Sequence, residues 1–183
     1  MSIIDLNCEK SFSASPCCIF SCNDKNLLFL GNTYQIYLYF GMPSCTGFTN
    51  LTQARLVLFK IPIGDPRNQM QCRHDQYFAY PLCDFFSVYN CIYAPPGVDE
   101  SRKVAFHDQP CCSYTEIDIT GIVRAWLEES FENKGILITG NECTRRIAYT
   151  SDRYEIPGMR PMLRLTYDTI ELCRPLNVSP CIV

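Results

Sequence analysis

Cysteine is the residue type in this chain with the most chemistry to offer: thirteen of its 183 residues are cysteine, against two histidines. Two pairs are adjacent in sequence, Cys17 with Cys18 and Cys111 with Cys112. Across a trans peptide, neighbouring Cα atoms stand about 3.8 Å apart, short of the about 4.4–6.8 Å that a disulfide spans. Neither pair is expected to close on itself, so each can serve two different partners. Thirteen is an odd number, and intrachain pairing therefore leaves at least one thiol over. The candidates for bonds between subunits are Cys8, Cys17, Cys18 and Cys22 near one end, Cys173 and Cys181 near the other, and Cys111 with Cys112 between them. Cys72, Cys83, Cys91 and Cys143 fall within the apolar body, where a cysteine either packs as a small hydrophobe or forms an intrachain bond.

Other uses of these residues fit less well. Structural zinc sites space their ligands as Cys-x2–4-Cys or His-x3–5-His. Only Cys18-x3-Cys22 has that spacing here, and His74 and His107 are far apart. Cys72 with His74, or Cys111 with His107, has the types of a nucleophile and its base but no local signature of one. No catalytic, metal or cofactor site is therefore expected. Glu128 and Glu129 read as a solvated face, while Tyr37, Tyr39 and Tyr93 are candidates either for a sugar-stacking platform or, equally, for an interface or the core.

The bulk composition sets the frame for this chemistry. At 47% hydrophobic and 19% charged, the chain can bury a core. A net charge of −3, with no basic run beyond Arg145 and Arg146, gives no footprint for nucleic acid or an anionic membrane. No run of 18 apolar residues predicts a membrane helix. The first residues lack the basic, apolar and small-residue regions of a Sec signal. Cysteine excess without such a signal sits poorly with a reducing cytosol. One resolution is a protein made in the cytosol and exposed to oxidant after mother-cell lysis, as around a spore.

Short apolar runs at 27–30, 34–40, 54–61, 77–82, 85–93, 116–120, 135–139, 146–150 and 162–167, separated by Gly, Pro, Asn and Asp, predict about nine strands of an all-β sandwich. In 34–40, Tyr34, Ile36, Leu38 and Phe40 share one face; in 162–167, Leu163, Leu165 and Tyr167 do. One stretch has helical spacing instead: Ile122, Val123, Trp126 and Leu127 predict a short helix at about 120–130, with Thr120 as its N-cap and Trp126 as a core plug. The expected organisation is a connector arm at 1–16, a β-sandwich at 17–168 and a C-terminal extension at 169–183.

The order of motifs carries a resemblance. Gln35-Ile-Tyr-Leu-Tyr-Phe, Ala54-Arg-Leu-Val-Leu-Phe-Lys, Ile117-Asp-Ile-Thr-Gly-Ile-Val-Arg-Ala-Trp-Leu, Asn133-Lys-Gly-Ile-Leu-Ile-Thr, Ile147-Ala-Tyr-Thr-Ser and Arg160-Pro-Met-Leu-Arg-Leu-Thr-Tyr follow in that order. Over roughly residues 17–167 this resembles the DNRLRE domain, a jelly-roll module similar to carbohydrate-binding modules and found in bacterial surface proteins. Ser15-Pro16-Cys17-Cys18 with Cys22 is similar to the N-terminal connector of bacillus endospore-appendage subunits. That second resemblance implies an arm that reaches a neighbouring jelly roll and is locked there by disulfides.

These readings converge on a structural subunit, not an enzyme, that polymerises head to tail with itself into a disulfide-cross-linked filament on a spore or cell surface. Other spore-surface proteins are further partners; nucleic acid and membrane insertion are excluded. The alternative is a carbohydrate- or surface-binding jelly-roll module with a glycan partner and stabilising intrachain disulfides.

Overall fold

Alternation along the last strand shows how the sequence becomes a layer. In β11 (Met162–Tyr167) the side chains of Leu163, Leu165 and Tyr167 are buried, while Met162, Arg164 and Thr166 are half-exposed. Successive side chains of a strand point to opposite faces, so this period-two pattern commits one face to a core. The computed structural model describes residues 1–15, 26–31, 33–43, 50–62, 75–109, 111–141 and 144–168.

Ten further strands among the described residues complete two antiparallel sheets: β1 (Ser2–Asn7), β2 (Lys10–Ala14), β3 (Leu27–Leu30), β4 (Gln35–Tyr39), β5 (Leu51–Ile61), β6 (Gln76–Pro81), β7 (Val104–His107), β8 (Tyr114–Asp118), β9 (Ile136–Gly140) and β10 (Ile147–Thr150). One sheet runs β1-β11-β5-β10-β3, with β8 also paired to β5; the other runs β2-β4-β9-β6-β7. Only the β6–β7 and β10–β11 connections stay within one sheet; every other connection changes sheet. The result is an all-β sandwich. Its core takes Leu30, Ile36, Leu38, Phe40, Leu56, Leu58, Ile117, Ile138, Leu163 and Leu165 from both layers. Burial of each such side chain contributes about 1.5–3 kcal/mol.

The helix expected at about 120–130 is α2 (Thr120–Leu127), which buries Ile122, Val123, Ala125 and Trp126. Trp126 plugs the core as expected. The cap differs: Thr120 is the first helical residue, and its backbone N–H donates to Asp118 Oδ1 at 3.0 Å. Asp118 thus supplies the side-chain acceptor two residues earlier than the sequence suggests, and Thr120 Oγ1 accepts instead from the N–H of Ala54 at 2.9 Å.

Two stretches depart further from expectation. Residues 85–93 are not a strand: they hold a second helix, α1 (Val88–Tyr93), started by Ser87. Ser87 Oγ accepts from the Asn90 N–H, and Asn90 Oδ1 accepts from the Ser87 N–H at 2.5 Å, a reciprocal capping box. An apolar run this short cannot be assigned to strand or helix by periodicity. Here the helix covers the outer face of the second sheet, closing a smaller cluster of Ala14, Tyr37, Tyr80, Leu82, Phe86, Cys91 and Leu137.

The second departure is the segment 1–16. Its residues 2–14 are not a free arm but edge strands of their own sandwich, β1 on β11 over six residue pairs and β2 on β4 over five. Ser2, Ile4 and Leu6 turn toward the core while Met1, Ile3, Asp5 and Asn7 face out. Isolated apolar residues acquire this use only because β11, some 160 residues later, supplies the hydrogen-bonding partner. The extension at 169–183 lies outside the described residues.

Candidate functional site

The turn from β7 to β8 carries the one adjacent cysteine pair among the described residues, and it is anchored from below. Asp108, its side chain 3% exposed, follows β7 and is held by Lys60 Nζ at 2.5 Å and Arg145 Nη2 at 2.9 Å. Thr115 Oγ1 donates to the same carboxylate at 2.9 Å and lies 3.0 Å from the hydroxyl of buried Tyr149. A buried carboxylate is tolerable when opposite charges and donors surround it, and costly otherwise. Lys60 also donates to the Gln109 carbonyl at 2.6 Å, and the Cys112 N–H donates to that carbonyl at 3.1 Å. The base of the turn is thereby fixed to β5 through Lys60.

The thiols sit on this base. Cys111 is exposed and Cys112 half-buried, and both are free. Cys112 Sγ donates to Gln109 Oε1 at 3.1 Å. Partial desolvation and contact with the Cys111 thiol raise the Cys112 pKa; the Asp108 charge adds to this, and the Lys60 ammonium opposes it. Lys60, Asp108 and Arg145 were not legible in the sequence as parts of one site. They come from β5, the end of β7 and the approach to β10, with no local spacing to connect them.

Cys8 corrects an expectation. It lies where the chain crosses from β1 to β2, 7% exposed, and its thiol donates to the carbonyls of Lys10 at 3.2 Å and Tyr39 at 3.5 Å. Burial pushes its pKa up to about 12. In this fold Cys8 is an interior thiol and not one presented to a neighbour, because β2 pairing with β4 draws the crossing inward. Cys91 is buried on the inward side of α1, with its pKa raised by desolvation to about 11. Cys83 is half-buried. Cys17, Cys18, Cys22, Cys173 and Cys181 lie outside the described residues, as do Cys72, His74 and Cys143. His107 Nδ1 lies 3.1 Å from the Asp75 carbonyl. No cluster of three potential metal ligands occurs among the described residues.

The structure divides the three tyrosines between the two readings. Tyr37 is fully buried, with its hydroxyl donating to Gln35 Oε1 at 3.1 Å, and Tyr39 is half-buried. Sheet pairing on both sides places Tyr37 beneath α1 and denies it to any ligand. Tyr93 is exposed, and its partner is Tyr89, one helical turn away with ring centroids 4.9 Å apart. Phe85 and Val88 extend the exposed surface. Beside them, an open cleft of about 290 Å³ is lined by Lys10, Tyr39, Phe85, Phe86 and Lys134. Lys10 donates to the Phe86 carbonyl at 2.7 Å, and its ammonium lies 4.7 Å from that ring's centroid. Lys134 donates to the Cys83 carbonyl at 2.9 Å and pairs with Glu132 at 3.1 Å. Both lysines thus fasten the segment that leads into α1.

No helix among the described residues is long and apolar enough to cross a membrane. No protein-family model matches this chain, and no curated protein sequence matches it.

Proposed function

We propose that this chain is a structural subunit that assembles with copies of itself into a disulfide-cross-linked filament on a spore or cell surface. The observation that carries this reading is the Cys111–Cys112 pair, one thiol exposed and both seated on an anchored turn. Adjacent residues are too close for an ordinary disulfide between them, so the turn offers two bonds to sulfurs elsewhere. In this reading Cys17, Cys18, Cys22, Cys173 and Cys181 of neighbouring copies supply those sulfurs. A contact between unlike surfaces of identical subunits propagates head to tail, giving a filament unless it closes to a ring.

The test is negative-stain electron microscopy of the oxidised protein, with and without reductant, alongside a non-reducing denaturing gel. Filaments should withstand detergent and heat and disperse in reductant plus denaturant. A chain that stays monomeric under oxidising conditions overturns the reading. Deleting residues 1–16 is a poor test, since it removes an edge strand from each sheet; replacing Cys111 and Cys112 by Ala leaves the strands in place.

One observation favours a second reading, a glycan-binding module: the exposed Tyr89 and Tyr93 rings beside a cleft with two lysines. Exposed aromatic faces with nearby hydrogen-bond donors suit the apolar faces and hydroxyl rims of sugar rings. A glycan-binding screen should then respond to Tyr89→Ala and Tyr93→Ala and be indifferent to reductant.

A further inference from the structure

The two thiols of the β7–β8 turn are adjacent but not equivalent. Cys111 is exposed; Cys112 is half-buried, its thiol donating to Gln109 Oε1 at 3.1 Å, and its sulfur in contact with that of Cys111. The turn beneath them cannot readily swing to exchange these positions. Lys60 holds the Gln109 carbonyl at 2.6 Å, and the Ser113 carbonyl accepts from the Lys60 N–H at 2.8 Å.

We propose that Cys111 and Cys112 form bonds to two different partners in a fixed order, Cys111 first. This rests on the cross-linking reading of the same turn. The substrate class is a disulfide, which supplies the oxidising equivalent itself. Cys111 gives its proton to water, and the thiolate lone pair attacks one sulfur of R–S–S–R′. The Cys111–S–S–R bond forms as the old S–S bond breaks, and R′–S⁻ leaves with the electron pair and takes up a proton. Cys112 does not displace R from Cys111, because the ring it would close is too tight for ordinary disulfide geometry. Cys112 follows Cys111 because its thiol is half-buried and its proton is held by Gln109 Oε1 at 3.1 Å.

The experiment is site-resolved thiol exchange on the full chain. The folded, reduced protein is mixed with 4,4′-dithiodipyridine at pH 7.5, quenched with acid at intervals, and mapped by peptide mass spectrometry. Wild type should show modification at Cys111 alone, then at both, with almost no product modified at Cys112 alone. In Cys112→Ala, the Cys111 rate should stay within about twofold, and near-ultraviolet circular dichroism of the variant checks that it is folded. Modification of Cys112 first or concurrently overturns the proposal, as does a peptide two mass units light from a Cys111–Cys112 disulfide. Because the assay reads the reduced single subunit, ordered exchange in a protein that never forms filaments would sink the filament reading and leave this inference standing. Disordered exchange in a protein that does form filaments would do the reverse.

Discussion

Arg164 on β11 grips Asp5 on β1 with two parallel hydrogen bonds, Nε to Oδ1 at 2.8 Å and Nη2 to Oδ2 at 2.9 Å. The pair stands directly opposite in the β1–β11 register, 159 residues apart in sequence. It fastens an outer strand whose inner residues, Ser2, Ile4 and Leu6, are only half-buried. The first strand is therefore held by backbone pairing and this fork more than by core packing.

Acid should loosen that strand first. The Arg164 hydrogen bond holds the Asp5 carboxyl below its ordinary value. A carboxyl with a lowered pKa in the folded state contributes stability that is present above its unfolded value, about 4, and lost as the pH falls through the folded value. Hydrogen exchange, corrected for intrinsic pH dependence, should show residues 2–7 losing protection below pH about 4 while β9 keeps its own. Asp5→Asn should abolish this pH step, at a cost of about 0.2–1 kcal/mol for an exposed pair.

Thiol reactivity should divide the described cysteines sharply. With its pKa near 12, Cys8 has about a thousandfold less thiolate at pH 8 than an ordinary thiol near 8.5. Iodoacetamide on the folded protein should modify Cys111 within minutes and leave Cys8 and Cys91 intact, while urea should expose all of them. Fast alkylation of Cys8 in the folded chain would mean that β1 and β2 detach readily, and would restore the connector-arm organisation.

Asp108→Ala should be among the most damaging single changes outside the core. It would leave Lys60, with its side chain 12% exposed, and Arg145 facing each other without the carboxylate between them. Removing one member of a buried ionic cluster costs about 3–5 kcal/mol. Urea denaturation followed by circular dichroism reads this as a lowered midpoint. Restored stability on replacing Lys60 by Met in the same background would identify the uncompensated charge as the cause.

Trp126 gives a graded test of the core. Trp126→Ala should cost about 3–5 kcal/mol in chemical denaturation. Trp126→Phe should cost much less, because the indole N–H has no acceptor among the described residues and its loss breaks no hydrogen bond. Equal losses from the two would show that the N–H is bonded after all.

Much of the sandwich was legible in order along the chain. Residues 162–167 and 34–40 alternate with period two, and their faces in the fold are the ones that alternation assigns. The helix near Trp126 follows from a spacing that no strand could bury. In both cases the deciding information lies within one element, since side-chain direction in a strand or helix is set by the local backbone. The adjacency of Cys111 and Cys112 is of the same kind: the covalent geometry of one peptide unit excludes an ordinary bond between them.

What the sequence left open depended on partners distant along the chain. Whether residues 2–14 are an arm or two strands was decided by β11 and β4, which supply their hydrogen bonds. Cys8 became an interior thiol because the crossing between those strands is drawn against the Tyr39 carbonyl. Residues 85–93 became a helix because the outer face of the second sheet offered Tyr37, Tyr80 and Leu137 to cover, and a run of nine residues has no period of its own strong enough to resist that. The Lys60–Asp108–Arg145 cluster is the clearest case. Charges 37 and 48 residues from one another along the chain have no signature until folding excludes water from around them, and only then does their pairing hold the turn that presents the thiols.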